Sequence, residues 1–330
     1  MQSHTHRGIR RPEGLLIAVV KAVGLTEFGG PEVLRVLELP EPAAGPGELR
    51  IRVHAAAVNP TDTLRRSGAR ADVKDVPMPH VLGMDAAGVL EQIGEGVSTD
   101  LRVGDHVMAI VLPNGVHGAY AERIAVPAES AVRVPAGATD AEAASLPMNG
   151  LTARLALDLL DLTPGETVAV TGAAGAVGGY AIQLAKADGL RVIGDAAPRD
   201  EPLVKELGAD IVLPRGDDFP QRVRAAVPEG VDGLVDGALF DRLALPAVRD
   251  GGRIATLRWF SEAGERGISF HPVRVGEYAR EHAKFDRLRQ QVEDGHLTLR
   301  VARIVPPEQA SDAHRLLEAG GVRGRLILQF

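Results

Sequence analysis

Cysteine is absent from all 330 residues, which excludes disulfides, thiol nucleophiles and thiolate-held metal centres. Aromatic residues are scarce, at 3% of the chain, and 37 basic residues are outnumbered by 44 acidic ones for a net charge of −7. A nucleic-acid partner would call for a basic face and stacking aromatics, so this composition argues against one. No segment approaches the roughly 20 consecutive apolar residues that a membrane span requires, which points to a cytoplasmic protein without a membrane partner. Internal repeats and low-complexity linkers are lacking too. What remains is a chain 45% hydrophobic, long enough to bury one large core or two interleaved ones. At its start, Arg7, Arg10 and Arg11 precede apolar Leu15 to Val20, as in an export signal. However, Pro12, Glu13 and Lys21 interrupt the pattern and no small-residue cleavage site follows. Residues 1–20 are therefore expected to be a disordered leader, in which His4 and His6 are surface histidines.

From about Lys21 to Ala131 the chain is written in short β-branched runs cut by Gly and Pro. They comprise Val19 to Leu25, Val33 to Leu37, Leu49 to Ala55, Gly88 to Ile93, His106 to Val111 and Glu122 to Val126. This rhythm predicts a mostly antiparallel β domain. Ala144 to Ala156 should carry the crossing into the next domain. From Thr167 onward apolar strands alternate with helical stretches: strand Thr167 to Thr171, helix Ala176 to Asp188, strand Arg191 to Gly194, helix Pro202 to Gly208 and strand Ile211 to Leu213. Helix Phe219 to Val227, strand Gly233 to Asp236, helix Asp241 to Arg249 and strand Arg253 to Thr256 continue the series. Right-handed βαβ crossovers and a parallel, doubly wound α/β sheet follow from that alternation. A helix from Glu277 to Asp294, a strand from Leu297 to Val305, a helix from Glu308 to Ala319 and a strand from Arg325 to Gln329 close the chain.

The strand Val168-Ala169-Val170 runs into Thr171-Gly172-Ala173-Ala174-Gly175-Ala176-Val177-Gly178-Gly179 and then a helix. Small residues between strand and helix let backbone amides approach a pyrophosphate, whose charge the helix N-terminus favours. Counted back from Gly178, Ala173 replaces the first glycine of the G-x-G-x-x-G fingerprint, with Gly172 displaced by one. At the end of the next strand Asp195 suits a ribose 2′-hydroxyl, as in NADH, whereas Arg199 and Arg215 suit the 2′-phosphate of NADPH. These residues leave both cofactors open.

Several ordered motifs then carry a family likeness. They are Glu27-Phe28-Gly29-Gly30-Pro31-Glu32-Val33-Leu34, Asn59-Pro60-Thr61-Asp62 with Arg66-Ser67-Gly68, and Leu82-Gly83-Met84-Asp85-Ala86-Ala87-Gly88. Further along stand Val103-Gly104-Asp105-His106-Val107, Gly118-Ala119-Tyr120-Ala121-Glu122 and Gly150-Leu151-Thr152-Ala153. Together they resemble the medium-chain dehydrogenase/reductase superfamily, in its zinc-independent quinone and enone reductase branch. The likeness covers nearly everything after Val20. It implies a Rossmann nicotinamide-binding domain, about residues 146–276, inserted in a mostly β GroES-like catalytic domain, residues 21–145 completed by about 277–330.

The same resemblance implies hydride transfer from NADPH, with NADH as the other possibility, to a quinone or α,β-unsaturated carbonyl. Asn59 and Asp62 would lie near the nicotinamide and substrate, and Thr152 near the carboxamide. Gly172, Ala173, Ala174, Gly175, Ala176, Val177 and Gly178 would hold the pyrophosphate, and Thr256 and Leu257 would pass the nicotinamide. Asn59 is expected to steady a developing oxyanion or the ring's amide. The catalytic zinc ligands of related alcohol dehydrogenases match Asn59, Met84 and Met148 here, so no zinc is expected. One departure stands out: Leu64 occupies the place of a tyrosine common in quinone reductases. Tyr120 and His117 are the other nearby groups able to move a proton. The resemblance also implies an acceptor pocket between the domains, lined by Trp259 and Phe260, and a homodimer paired near Gly267 to His271. Two other functions fit the same residues: an enoyl-thioester reductase, and an NADPH-binding sensor or scaffold with little turnover.

Overall fold

The computed structural model describes residues 8–10 and 16–330, and the export-like and His4/His6 readings fall mainly on residues outside that range. Gly8–Arg10 and Leu16–Leu25 are strands paired antiparallel, so regular structure begins inside the segment expected as a leader. The chain forms two compact units. One comprises Met1–Pro147, Ala279–Arg289 and Val301–Phe330, and the other Met148–Tyr278 and Gln290–Arg300. Among the described residues, no helix is long and apolar enough to cross a membrane.

The first unit is built on a seven-stranded sheet around Glu48–Ala57, which pairs antiparallel with Asp85–Ile93, Arg123–Pro127 and Arg325–Gln329. Asp85–Ile93 in turn pairs with His106–Ile110. Along Glu48–Ala57 the side chains alternate, with Leu49, Ile51 and Val53 buried and Arg50, Arg52 and His54 facing outward. That period of two is what a half-buried strand requires. Leu49 and Ile51 join Leu90, Val107, Ile124 and Leu328 in one core, where fully burying each such side chain stabilises by about 1.5–3 kcal/mol. The alternation slips at His54, because Val53 opposes Gly88 while Ala55 opposes Ala87, leaving His54 as the extra residue of a β-bulge. After the strand comes a short helix, Pro60–Arg66, which the periodicity did not announce. Proline at its first position costs no hydrogen bond, since that N–H has no helical partner.

The second unit contains a six-stranded sheet, parallel throughout, in the order Ile211–Pro214, Arg191–Ala196, Thr167–Thr171, Val231–Asp236, Val248–Thr256, Ser269–Pro272. In chain order this is 3-2-1-4-5-6, the doubly wound arrangement expected, with its switch point between Thr167–Thr171 and Val231–Asp236. Helices Ala176–Ala187, Glu201–Glu206 and Phe219–Ala226 fall within a few residues of their expected places. Asp241 to Arg249 does not form the expected α-helix. Asp241–Ala247 is a 3-10 helix and Val248 already begins the next strand, because Pro246 lacks the N–H that an α-helix would use and Asp241 sits at φ 50°. The expected helix Glu277 to Asp294 likewise splits into a 3-10 turn, Val275–Tyr278, and an α-helix, His282–Glu293. Pro147–Leu160 is a 14-residue helix where only a crossing had been expected.

Candidate active site

The glycine-rich turn sits at the C-terminal end of Thr167–Thr171, at the switch point of the parallel sheet. Gly172 takes φ +67° and accepts a hydrogen bond from the Gly175 N–H at 2.9 Å, curling the chain into the start of helix Ala176–Ala187. Gly178 is required by contact: a Cβ there would lie 2.3 Å from the Gly172 oxygen and 2.8 Å from its carbonyl carbon, both backbone atoms. Gly175 caps the helix in an extended conformation with no side-chain acceptor, and Gly175, Ala176 and Val177 are partly open to solvent. The first N–H groups of this 12-residue helix are therefore left for an external acceptor at its positive end. Ala173 and Ala174 are buried behind them.

Thr171 and Asp236 close the floor of the switch point. The Thr171 hydroxyl donates to the Asp236 carboxylate at 3.0 Å, and the same carboxylate accepts the N–H groups of Phe240 and Asp241. No motif announces Arg300. Its guanidinium donates to the carbonyls of Gly175 at 2.7 Å and Ala174 at 3.3 Å, across more than a hundred residues. It thereby sets a positive charge beside the turn while engaging carbonyls rather than amides.

Asp195 is buried, and its carboxylate accepts the Ala173 N–H at 2.8 Å. Burial pushes its pKa up, against the pull of that bond and of the Arg215 charge. The acid thus braces the turn from beneath. Arg199 lies on the surface, its side chain 72% exposed and only 3.9 Å from Asp200 as a partner. Arg215 follows the neighbouring strand, exposed, with its backbone N–H donated to Ala196. Of the remaining expected residues in this unit, the Thr152 hydroxyl donates to the Met148 carbonyl at 2.6 Å and the buried Thr256 hydroxyl donates to the Phe260 carbonyl at 2.7 Å. Leu257 is half-buried, and Trp259, at φ +65°, lies in the loop that follows. Phe260 packs edge-on against Phe270, with ring centroids 4.9 Å apart.

In the first unit Asn59 and Asp62 are both wholly buried. Asn59 donates one amide hydrogen to Asp85 at 2.6 Å and the other to the Ala57 carbonyl at 3.4 Å, while its oxygen accepts from Arg325 at 2.6 Å. No amide hydrogen of Asn59 is left for a substrate oxyanion. Asp62 accepts the N–H of Asn59 at 2.8 Å, the N–H of Gly83 at 3.0 Å and the hydroxyl of Tyr120 at 3.0 Å. Burial outweighs these donors and raises its pKa to about 6. Tyr120 is buried with its pKa well above the ordinary value, chiefly by desolvation. His314 lies 3.4 Å beyond the tyrosine hydroxyl and contacts Arg66 at 3.0 Å; burial lowers its pKa to about 3. His117 is half-buried, and desolvation depresses its pKa as well. Leu64 brings no polar atom, and Met84 and Met148 are buried thioethers.

Residues 45–136 match the family described as Alcohol dehydrogenase GroES-like domain, and residues 207–328 match Zinc-binding dehydrogenase. The synaptic vesicle membrane protein VAT-1 homolog of Homo sapiens is 34% identical over 66% of this chain, which spans only 55% of that relative's length. The quinone oxidoreductase of Sus scrofa is 29% identical over 94% of this chain and 98% of its own. A mycobacterial structure solved in complex with NADPH superposes with a TM-score of 0.82 at 31% identity, covering 94% of this chain and all of that one. Both halves of the fold and the full-length likeness agree: the chain belongs to the medium-chain dehydrogenase/reductase superfamily, in its quinone oxidoreductase-like branch.

Proposed function

We propose that this protein is an oxidoreductase that binds a nicotinamide dinucleotide, NADPH in preference to NADH, and reduces a quinone or α,β-unsaturated carbonyl without zinc. The observation that carries the proposal is the uncapped helix N-terminus at Gly175 to Val177, seated at the switch point of a 3-2-1-4-5-6 parallel sheet. The names of the pig and mycobacterial relatives point the same way. NADPH, when bound, supplies the hydride; the chain binds, orients and excludes water. Asp195 already braces Ala173, so the exposed Arg199 and Arg215 are the groups free to meet a 2′-phosphate. Because the Thr152 hydroxyl hydrogen goes to Met148, its oxygen is left as an acceptor, which suits a carboxamide N–H.

Zinc is held by thiolates, imidazoles and carboxylates, and the positions matching the family's ligands offer an engaged amide and two thioethers instead. Hydride delivered to a quinone or to the β-carbon of an enone leaves an anion that delocalisation stabilises without a Lewis acid. Orientation then supplies most of the acceleration. With Leu64 apolar, Tyr120 donating to Asp62 and both Asn59 hydrogens engaged, the proton that completes the reduction comes from solvent. Asn59 and Asp62 are positioning residues here, fixing the backbone from Asn59 to Gly83. The free edge of Ser269–Pro272 is proposed as the seam of a homodimer, which sedimentation would detect.

The decisive experiment follows NADPH oxidation against small quinones, enones and enoyl thioesters. Turnover with the first two is expected. Turnover confined to thioesters would assign the chain to that chemistry, and tight NADPH binding without oxidation on any acceptor would make it a binding protein. Two sets of variants separate the cofactor contacts. Replacing Arg199 and Arg215 by alanine should lower kcat/KM for NADPH by about 10–100-fold and leave NADH within a few-fold, since each charged hydrogen bond contributes roughly 1.5–3 kcal/mol. Arg300→Met should instead weaken NADPH and NADH by the same factor, on the order of 5–10-fold, because the turn meets the pyrophosphate common to both. Direct binding titrations would check each.

A further inference from the structure

In the first unit, at residues other than those assigned above, two imidazoles converge on one carboxylate. His54 Nδ1 lies 2.6 Å from Asp140 Oδ2, and His106 Nδ1 lies 2.9 Å from Oδ1 and 3.1 Å from Oδ2. All three potential ligand atoms fall within 4.8 Å of one another. The residues come from strand Glu48–Ala57, strand His106–Ile110 and helix Asp140–Ala143, and the backbone aims each of them. His54 is the extra residue of the bulge. Next to it, opposite Val53, stands Gly88 of Asp85–Ile93, the strand between those of the two histidines; a Cβ there would lie 2.0 Å from the Arg52 carbonyl oxygen and 2.9 Å from the His54 nitrogen, so the bulge leaves no room for a side chain at that point. Asp140 opens its helix under a capping box formed by Thr139 and Glu142, which fixes the turn that carries it.

We propose that His54, His106 and Asp140 form a binding site for a first-row divalent metal such as Zn²⁺, separate from the cofactor site and structural in effect. Two imidazoles and a carboxylate are an N₂O donor set suited to Zn²⁺, Co²⁺ or Ni²⁺. With bonds of about 2.0–2.1 Å, tetrahedral ligand atoms sit roughly 3.3 Å apart, so the observed spacings need to open by well under 1 Å. The side chains are 31% (His54), 56% (His106) and 13% (Asp140) exposed, which gives an ion a route in and leaves room for water as a further ligand. The metal would tie both strands to the helix.

One neighbour opposes it. The Arg52 guanidinium donates to His54 Nε2 at 3.0 Å, which keeps the imidazole hydrogen on Nδ1, where a metal must bind. Loading requires that hydrogen to move to Nε2 and Arg52 to withdraw toward its other partner, Glu91, at 3.0 Å. A substitution of Arg52 should therefore strengthen binding, whereas loss of any ligand should weaken it.

The test is a Zn²⁺ titration by calorimetry, paired with Co²⁺ absorption, on the full chain carrying H4Q and H6Q so that the N-terminal histidines cannot contribute. One equivalent per chain is expected, with a rise in Tm at saturating metal. H54Q, H106Q and D140N should each weaken binding at least ~10-fold, about 1.4 kcal/mol, while R52A tightens it. R52A retains all three ligands, so its effect does not depend on a ligand variant folding. Absence of saturable binding in the parent, or binding that survives the three ligand substitutions, would overturn the proposal.

Discussion

Asp85→Ala should destabilise the protein by about 3–5 kcal/mol, the cost of removing a carboxylate from beside a buried cation. Arg325 is almost wholly buried, and its guanidinium lies 3.6 Å from Asp85 and 2.6 Å from the Asn59 oxygen; Asn59 in turn donates to Asp85. The three side chains come from just beyond Glu48–Ala57, the start of Asp85–Ile93 and the start of Arg325–Gln329, strands that lie side by side in the sheet. Removing the carboxylate takes a counter-charge from the guanidinium in a region that water does not reach. Arg325→Met should cost a similar amount for the converse reason. The double variant Asp85→Leu with Arg325→Met should recover much of the loss, because it removes both charges and fills the space with apolar atoms. Urea unfolding of the four proteins measures the coupling. If the single and double losses simply add, the cluster does not act as a unit. Asn59→Ala belongs to the same series. Its stability should fall, while hydride transfer measured well below the unfolding transition stays near the parent rate. A large drop in that rate would return Asn59 to a direct role in chemistry.

The cluster also shows where sequence reasoning stopped. Thr167–Thr171 and Arg325–Gln329 were legible to the residue, because an apolar run bounded by Gly or a charge carries its own limits. The glycine turn was legible as a strand-to-helix turn because its small residues are consecutive. Pro147–Leu160 was not: Gly150 and Asn149 weaken its first turn, and the helix is buried on nearly all sides, so no polar face marks its period. Asn59, by contrast, stands in a legible motif, while its partners within the chain, Asp85, Ala57 and Arg325, do not show in it. Its bond to Arg325 joins residues 266 positions apart, and a local pattern holds no record of such a contact. The same holds for Arg300 on the turn and for His54 and His106 on Asp140, each assembled only when distant strands pair. Asp195 was ambiguous in the sequence because an acid at a strand end can meet ribose or backbone. Burial against Ala173 is a property of the fold, not of the motif.

The connected pair Asp62 and His314 should give the variants opposite dependences on pH. Asp62 has its pKa raised to about 6 from 3.8, so its native-state contribution is fully present below pH ~3.8 and is lost as pH rises through 6. His314 has its pKa lowered to about 3 from 6.5, so its contribution is present above 6.5 and is lost as pH falls toward 3. Integrated at 1.36 kcal/mol per unit, the two effects are on the order of 3 and 5 kcal/mol and of opposite sign. Between pH 4 and 6 the unfolded chain holds one more proton at His314 and the native chain one more at Asp62, so the slopes cancel. Asp62→Asn removes one side of that balance. Relative to the parent, its stability should fall by about 3 kcal/mol as pH drops from 6 to 4, roughly 1.4 kcal/mol per unit. His314→Gln should do the reverse and gain by a similar amount over the same interval. Taking each variant against the parent at every pH cancels the remaining titrating groups, and it also removes the constant cost of the substitution itself. Denaturant unfolding at half-unit steps would read both slopes. Parallel curves for all three proteins would mean that burial does not hold either group away from its ordinary pKa.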